Sequence, residues 1–300
     1  MISQLILNGI IAGSIYALVA LGFSVIYRTV KFFHFAHGIV YTAGAYIAYS
    51  ILTLDFRQWT LDYGQWIVGW VKWSVAILID RLVYFPLRKK KASNLIFLLA
   101  SFGVFIFLQN FIQLIYGAQI LTIRTGPVKE GHQLSVFGYQ LNAIITDIQI
   151  LILFVSLCVM VGLWIFIHKM KLGKAMRAVS DDPIAASVVG INPEKIITAS
   201  FAIGSALAGA AGILISLETN IEPTMGFSAI LKGIIASIIG GIGSIPGAMF
   251  GGFFLGIVEN LGIWKIQAGW KDCISFVILI IFLLFRPWGM LGVKTEKGQL

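Results

Sequence analysis

His168-Lys-Met-Lys-Leu-Gly-Lys-Ala-Met-Arg-Ala-Val-Ser-Asp-Asp-Pro-Ile-Ala-Ala-Ser-Val-Val-Gly-Ile-Asn-Pro-Glu-Lys195 separates two strongly apolar runs, Ile148–Ile167 and Ile196–Leu217. Each run is close to the length a helix needs to cross a bilayer. The polar stretch between them is too rich in local signals to be a plain linker. Ser180-Asp181-Asp182 supplies an N-cap, and Pro183 suits the first helical position. Gly190 stands where a helix end wants a residue tolerant of positive φ. Asn192-Pro193-Glu194 then caps the following helix, with an acidic charge near its positive end. The spacing predicts a helix of about two turns over 183–190, held between a basic boundary and a membrane span.

The same alternation continues outward in both directions. Candidate spans are 3–27, 36–54, 65–86, 94–117, 148–168, 196–217, 227–241, 247–262 and 273–290. The run at 65–86 is interrupted by Lys72, Asp80 and Arg81, and those at 227–241 and 247–262 are short enough to be a re-entrant pair. With 58% hydrophobic residues, 12% charged residues and a mean hydropathy of +0.92, an ordinary soluble domain is excluded. The expected fold is all-α: one polytopic membrane bundle of about eight or nine segments across residues 1–300.

A net charge of +9 could point to nucleic acid, but its distribution points to topology. With the N-terminus outside, the inner side receives Arg28, Lys31, Arg81, Arg88, Lys89, Lys90, Lys91, Lys169, Lys171, Lys174, Arg177, Lys195, Arg286, Lys294 and Lys297. The outer side receives Arg57, Arg124, Lys129, Lys265 and Lys271. Fifteen against five follows the positive-inside rule. It places segment 169–195 and the C-terminus in the cytosol and a loop at 118–147 outside. No positive charge precedes the first apolar run, which therefore reads as a span rather than a cleaved signal. The implied location is the cell membrane.

Chemistry-bearing motifs are absent. There is no Gly-x-x-x-x-Gly-Lys-[Ser/Thr], so ATP hydrolysis by a P-loop is not expected of this chain. There is no His-Glu-x-x-His, Cys-x-x-Cys or Gly-x-Ser-x-Gly. His34 and His37 have helical spacing but no evident third ligand, so neither a metal nor another cofactor is expected. Cys158 and Cys273 read as small buried thiols. No catalytic residues are assigned.

Ionisable groups inside spans are costly in lipid and mark either a function or a buried pair. Lys232 and Glu259 lie in the two short helices flanking Gly240-Gly-Ile-Gly-Ser-Ile-Pro-Gly247. They either neutralise each other, or Lys232 meets a carboxylate on a passing solute. The break itself, with Gly240, Gly241 and Gly243, either lines a path or forms the turn of a hairpin. Asp80 and Arg81 read as a pair or as snorkelling groups at the inner boundary; Asn8, Gln109 and Asn110 read as interhelical hydrogen-bonding groups, with pathway lining the alternative. Gly9/Gly13, Gly247/Gly251, Gly252/Gly256 and the Gly204–Ala208–Gly212 ladder carry the spacing of close helix packing.

Taken together, Arg177–Asn192, Met225-Gly-Phe-Ser-Ala-Ile-Leu-Lys232, Gly240–Gly252 and Arg286-Pro-Trp-Gly289 give the chain its resemblance to LivH-type permeases of branched-chain amino acid ABC importers. Phe35-Ala-His-Gly38 and Asp80–Arg88 are similar to that family too, and the likeness covers nearly the whole chain. The chain departs from the family pattern at His34, Ile39 and Asp80. The resemblance implies an ABC importer permease fold, a second related permease, two ATPase subunits and an extracytoplasmic solute-binding protein. It also implies that Pro183, Ile184, Ala185, Val188, Val189 and Gly190 form the contact with an ATPase. A urea or short-chain amide permease is the nearest alternative. A stand-alone ion-coupled carrier or channel is the alternative of another class.

Overall fold

In the computed structural model, residues 1–53, 77–123, 131–136 and 139–292 are described. Helix α1 (Ile2–Val30) is the strut of the bundle, with 83% of its most apolar window buried. It packs on α10 (Ile245–Gly262), on α8 (Pro193–Glu218) and on α9 (Met225–Gly240). The remaining elements are α2 (Ala36–Thr53), α3 (Phe85–Lys89) after a π-helical turn Asp80–Tyr84, α4 (Asn94–Tyr116) and α5 (Asp147–Lys169). Short helices α6 (Lys171–Asp181) and α7 (Pro183–Val188) precede α8, and α11 (Lys271–Phe285) closes the described chain.

Five helices among the described residues, α1, α4, α5, α8 and α10, are long and apolar enough to cross a membrane. The other expected spans appear as α2 with 18 residues, α9 with 16 and α11 with 15. Most of the expected span 65–86, with Lys72, lies outside the described residues, as do Lys294 and Lys297.

Small residues decide where the helices meet. A Cβ at Gly256 would sit 2.5 Å from the Gly13 backbone, and one at Gly13 would sit 2.8 Å from Phe253 Cα. Glycine therefore lets α1 and α10 touch backbone to backbone, which no larger residue permits. Gly212 of α8 meets the Tyr41 carbonyl of α2 in the same way. By contrast, α4 and α5 are largely unburied, with only 17% and 28% of their apolar windows covered. Their outward faces are those a bilayer would surround. Cys158 and Cys273, expected to be buried, are exposed free thiols on α5 and α11. An apolar outer face accepts a small thiol as readily as a core does.

Polar groups inside the helices find partners closer to home than expected. Asn8 accepts from Gln4 one turn back, and Asn110 donates to the Ile106 carbonyl of its own helix. At the end of the bundle holding the α1 N-terminus, β1 (Gly131–Val136) and β2 (Tyr139–Thr146) form an antiparallel hairpin. The Gln4 side chain satisfies its edge, donating to the Ile144 carbonyl (3.0 Å) and accepting from the Ile144 N–H (2.7 Å). Thr146 and Gln149 then build a capping box that starts α5.

Candidate functional site

Three places hold the residues singled out by the sequence. The first is α7. Asp182 caps it, its Oδ1 accepting from the N–H groups of Ile184 (2.8 Å) and Ala185 (3.1 Å). Ser180 and Asp181, expected to share in that cap, face Arg28 instead: Nε donates to Ser180 Oγ at 3.0 Å, and Asp181 lies 3.8 Å from Nη2. Gly190 ends the turn at φ 84°, and the Ile191 N–H closes back on the Ala186 carbonyl at 3.0 Å. Only Ala186 of this helix is buried. Ile184, Val188 and Val189 are 78%, 82% and 74% exposed, on a rigidly capped projection.

The second place is the Lys232–Glu259 pair. Lys232 Nζ lies 3.3 Å from Glu259 Oε2, so the structure brings these two residues together. Glu259 is fully buried, and its carboxylate also accepts from Tyr16 (2.9 Å) and from Ser275. Lys232 donates to Tyr16 Oη at 3.1 Å and reaches Asp272 Oδ1 at 3.2 Å. Asp272, at the start of α11, is a member the sequence reading missed. Nothing in its local pattern distinguishes it from an ordinary acidic residue in a first helical turn.

The third place is the glycine break. Gly241 (φ 113°) and Gly243 (φ 80°) make the turn between α9 and α10. Gly240 packs against Gly247, and Gly241 against Gly292. Residues 290 and 291 donate backbone hydrogen bonds to the Ile239 (2.8 Å) and Gly240 (2.9 Å) carbonyls, capping the end of α9. Among the described residues this segment is a hairpin turn, with Gly240 and Gly241 buried and Ile242 and Pro246 exposed.

A further charged network replaces the Asp80–Arg81 pairing that the sequence offers, while Arg81 itself is exposed. Asp80 is fully buried and pairs with Arg88 (2.7 Å) rather than with its neighbour Arg81. In a helix, adjacent residues point apart, while positions two turns distant share a face. Thr198 donates to Asp80 at 2.9 Å, and Arg88 reaches Glu194 in the first turn of α8 at 2.9 Å. Burial alone would lower the Arg88 pKa, but Asp80 and Glu194 outweigh it and hold the guanidinium above its usual value. This clamp ties the π-turn and α3 to the start of α8, directly after α7. His34 and His37 are buried, with His34 Nδ1 2.9 Å from the Tyr84 hydroxyl. No group of three or more metal-ligating side chains occurs among the described residues.

Helices of bilayer length, with ionisable groups confined to paired clusters and helix ends, define a multi-pass helical membrane protein. The family model described as "Branched-chain amino acid transport system / permease component" matches residues 5–283, and the chain belongs to that family. It is 38% identical to the high-affinity branched-chain amino acid transport system permease protein BraD of Pseudomonas aeruginosa, over 98% of this chain and 97% of the relative. It is 37% identical to LivH of Escherichia coli over the same shares. Identity to the probable LivH of Methanocaldococcus jannaschii is 31%, over 98% and 94% of the two chains. No solved structure matches the chain.

Proposed function

We propose that this protein is the permease subunit of an ATP-driven importer for branched-chain amino acids. It forms the passage with a second, related permease, receives its solute from an extracytoplasmic binding protein, and is driven by two separate ATPase subunits. Family membership supports the transport class. The observation that carries the mechanical part is the exposed apolar side of α7, Ile184 and Val188 at i, i+4 with Val189 beside them. Apolar side chains of this size, projecting beyond the bundle, are a liability unless a partner's groove covers them. The helix is well suited to carry force. Asp182 and Gly190 fix its two ends, and Asn192 restarts the chain as α8, its Oδ1 accepting from the Lys195 N–H at 3.3 Å. A push on α7 is thus delivered to a helix that runs through the core and grips α1 and α2.

Replacing Ile184 or Val188 with Asp is expected to leave membrane insertion intact, since neither belongs to a span. Copurification of the ATPase subunits should fall by about tenfold or more, and leucine uptake should fall with it while ATP hydrolysis continues. Normal assembly and uptake in both variants would overturn the coupling role of α7.

A further inference from the structure

Between α9 and α11 lies a cavity of about 300 Å³, at the small end of the roughly 300–1,000 Å³ range for ligand pockets. Its walls are apolar and aromatic, with Phe227, Leu231 and Phe276, and its polar end is made by Lys232 and Asp272. We infer that this cavity is a solute site for an α-amino acid with an apolar side chain. Lys232 would hold the carboxylate, Asp272 the ammonium and the walls the side chain. The inference rests on the importer reading above and assigns to it a place of contact.

The charge arrangement carries the argument. An α-amino acid presents its two opposite charges on adjacent positions of one carbon centre. The cavity presents the complementary pair, Lys232 Nζ and Asp272 Oδ1, 3.2 Å apart. Insertion of the zwitterion exchanges one ion pair for two and brings no net charge into the protein. Lys232 is mostly buried near the middle of α9 and is anchored by Glu259 (3.3 Å) and Tyr16 (3.1 Å), contacts that do not involve Asp272. Among the described residues, Asp272 has no such second anchor. Its side chain is 66% exposed, so it can swing from lysine to ligand. Lys271, the other nearby cation, is directed to Asn260 Oδ1 at 3.2 Å. Neutral amides and urea have no charges with which to use this pair, so the site separates zwitterions from them. Phe227 and Ser228 are exposed on the cavity's open side, leaving solute a way in.

The test uses the whole importer in membrane vesicles, with Ser228→Cys placed in a Cys158→Ser/Cys273→Ser background. L-leucine is expected to slow alkylation of the new thiol about tenfold or more during ATP-driven uptake, the scale of one or more charge-assisted contacts. 4-Methylpentanoate, which lacks the ammonium, and 3-methylbutylamine, which lacks the carboxylate, should protect far less. Separately, Asp272→Asn should cut leucine uptake about tenfold with normal complex assembly, and Asp272→Glu should restore most of it. If the wild-type complex imports leucine, the solute site is overturned by absent protection, by equal protection from all three compounds, or by unchanged uptake in Asp272→Asn. If the wild-type complex does not import leucine, the importer reading itself fails.

Discussion

At the scale of single residues, Glu259 is held from three helices at once. Its carboxylate is fully buried and is held by Lys232, Tyr16 and Ser275, contributed by α9, α1 and α11. Removing one partner of such a pair leaves a buried charge uncompensated, which costs roughly 3–5 kcal/mol. Lys232→Met and Glu259→Gln should therefore each lower the yield of folded permease severely. The double substitution should lose less than the sum, because it leaves no buried charge uncompensated; Asp272 loses Lys232 but its side chain is 66% exposed to water. A double-mutant cycle on thermal stability of the detergent-solubilised protein measures this coupling. Strictly additive losses would mean that the 3.3 Å contact carries no energy. The sequence named both members, since an ionisable residue inside an apolar run is visible without a structure. It could not name Asp272 or the Arg88–Glu194 contact, which join elements far apart in the chain at positions that look ordinary locally.

At the scale of elements, the apolar runs and their caps set helix boundaries to within a few residues: 3–27 became Ile2–Val30, 94–117 became Asn94–Tyr116, and 148–168 became Asp147–Lys169. Helix α6 was missed because its basic residues dominate the reading of 169–181. Its other face buries Gly173, Met176 and Val179 under the bundle. An amphipathic surface helix and a charged linker differ only in that periodicity. The hairpin at 131–146 lies within the stretch that the sequence presents as an outer loop, and it is held partly by the distant Gln4, a contact no local pattern announces. Glycine spacing was more informative, and it yields a controlled prediction. A side chain at Gly252 would sit 2.5 Å from the Ala17 backbone, whereas Gly162 on α5 has nothing within 4 Å. Gly252→Leu should destabilise the α1–α10 contact by about 3 kcal/mol or more, at or beyond the upper end of ordinary overpacking, because backbone must move. Gly162→Leu should be neutral within about 0.5 kcal/mol or stabilising, through better helix propensity. Unfolding temperatures of the two purified variants, side by side, distinguish specific packing from a general intolerance of bulk.

At the scale of the whole molecule, the two ends of the bundle differ in a way that bears on orientation. Arg28 reaches Ser180 and Asp181, Arg88 reaches Glu194, and the turn at Gly243 lies beside Arg28. The basic clusters at 28–31, 88–91 and 169–177 therefore gather at one end, with α7. The other end carries the β-hairpin against Gln4 and the bridge between Leu121 and Ile221. Among the described residues, the connections fall at the ends that the charge pattern assigns them, and the positive-inside rule predicts that the basic end faces the cytosol. That rule leads to the expectation that the N-terminus and the hairpin are extracytoplasmic. Lys90→Cys and Gln119→Cys, each made without the exposed Cys158 and Cys273, report on the two ends. In intact cells an impermeant maleimide should label Gln119→Cys and spare Lys90→Cys until the membrane is permeabilised. The reverse pattern would place α7 outside the cell, away from any ATPase, and would overturn orientation and coupling together.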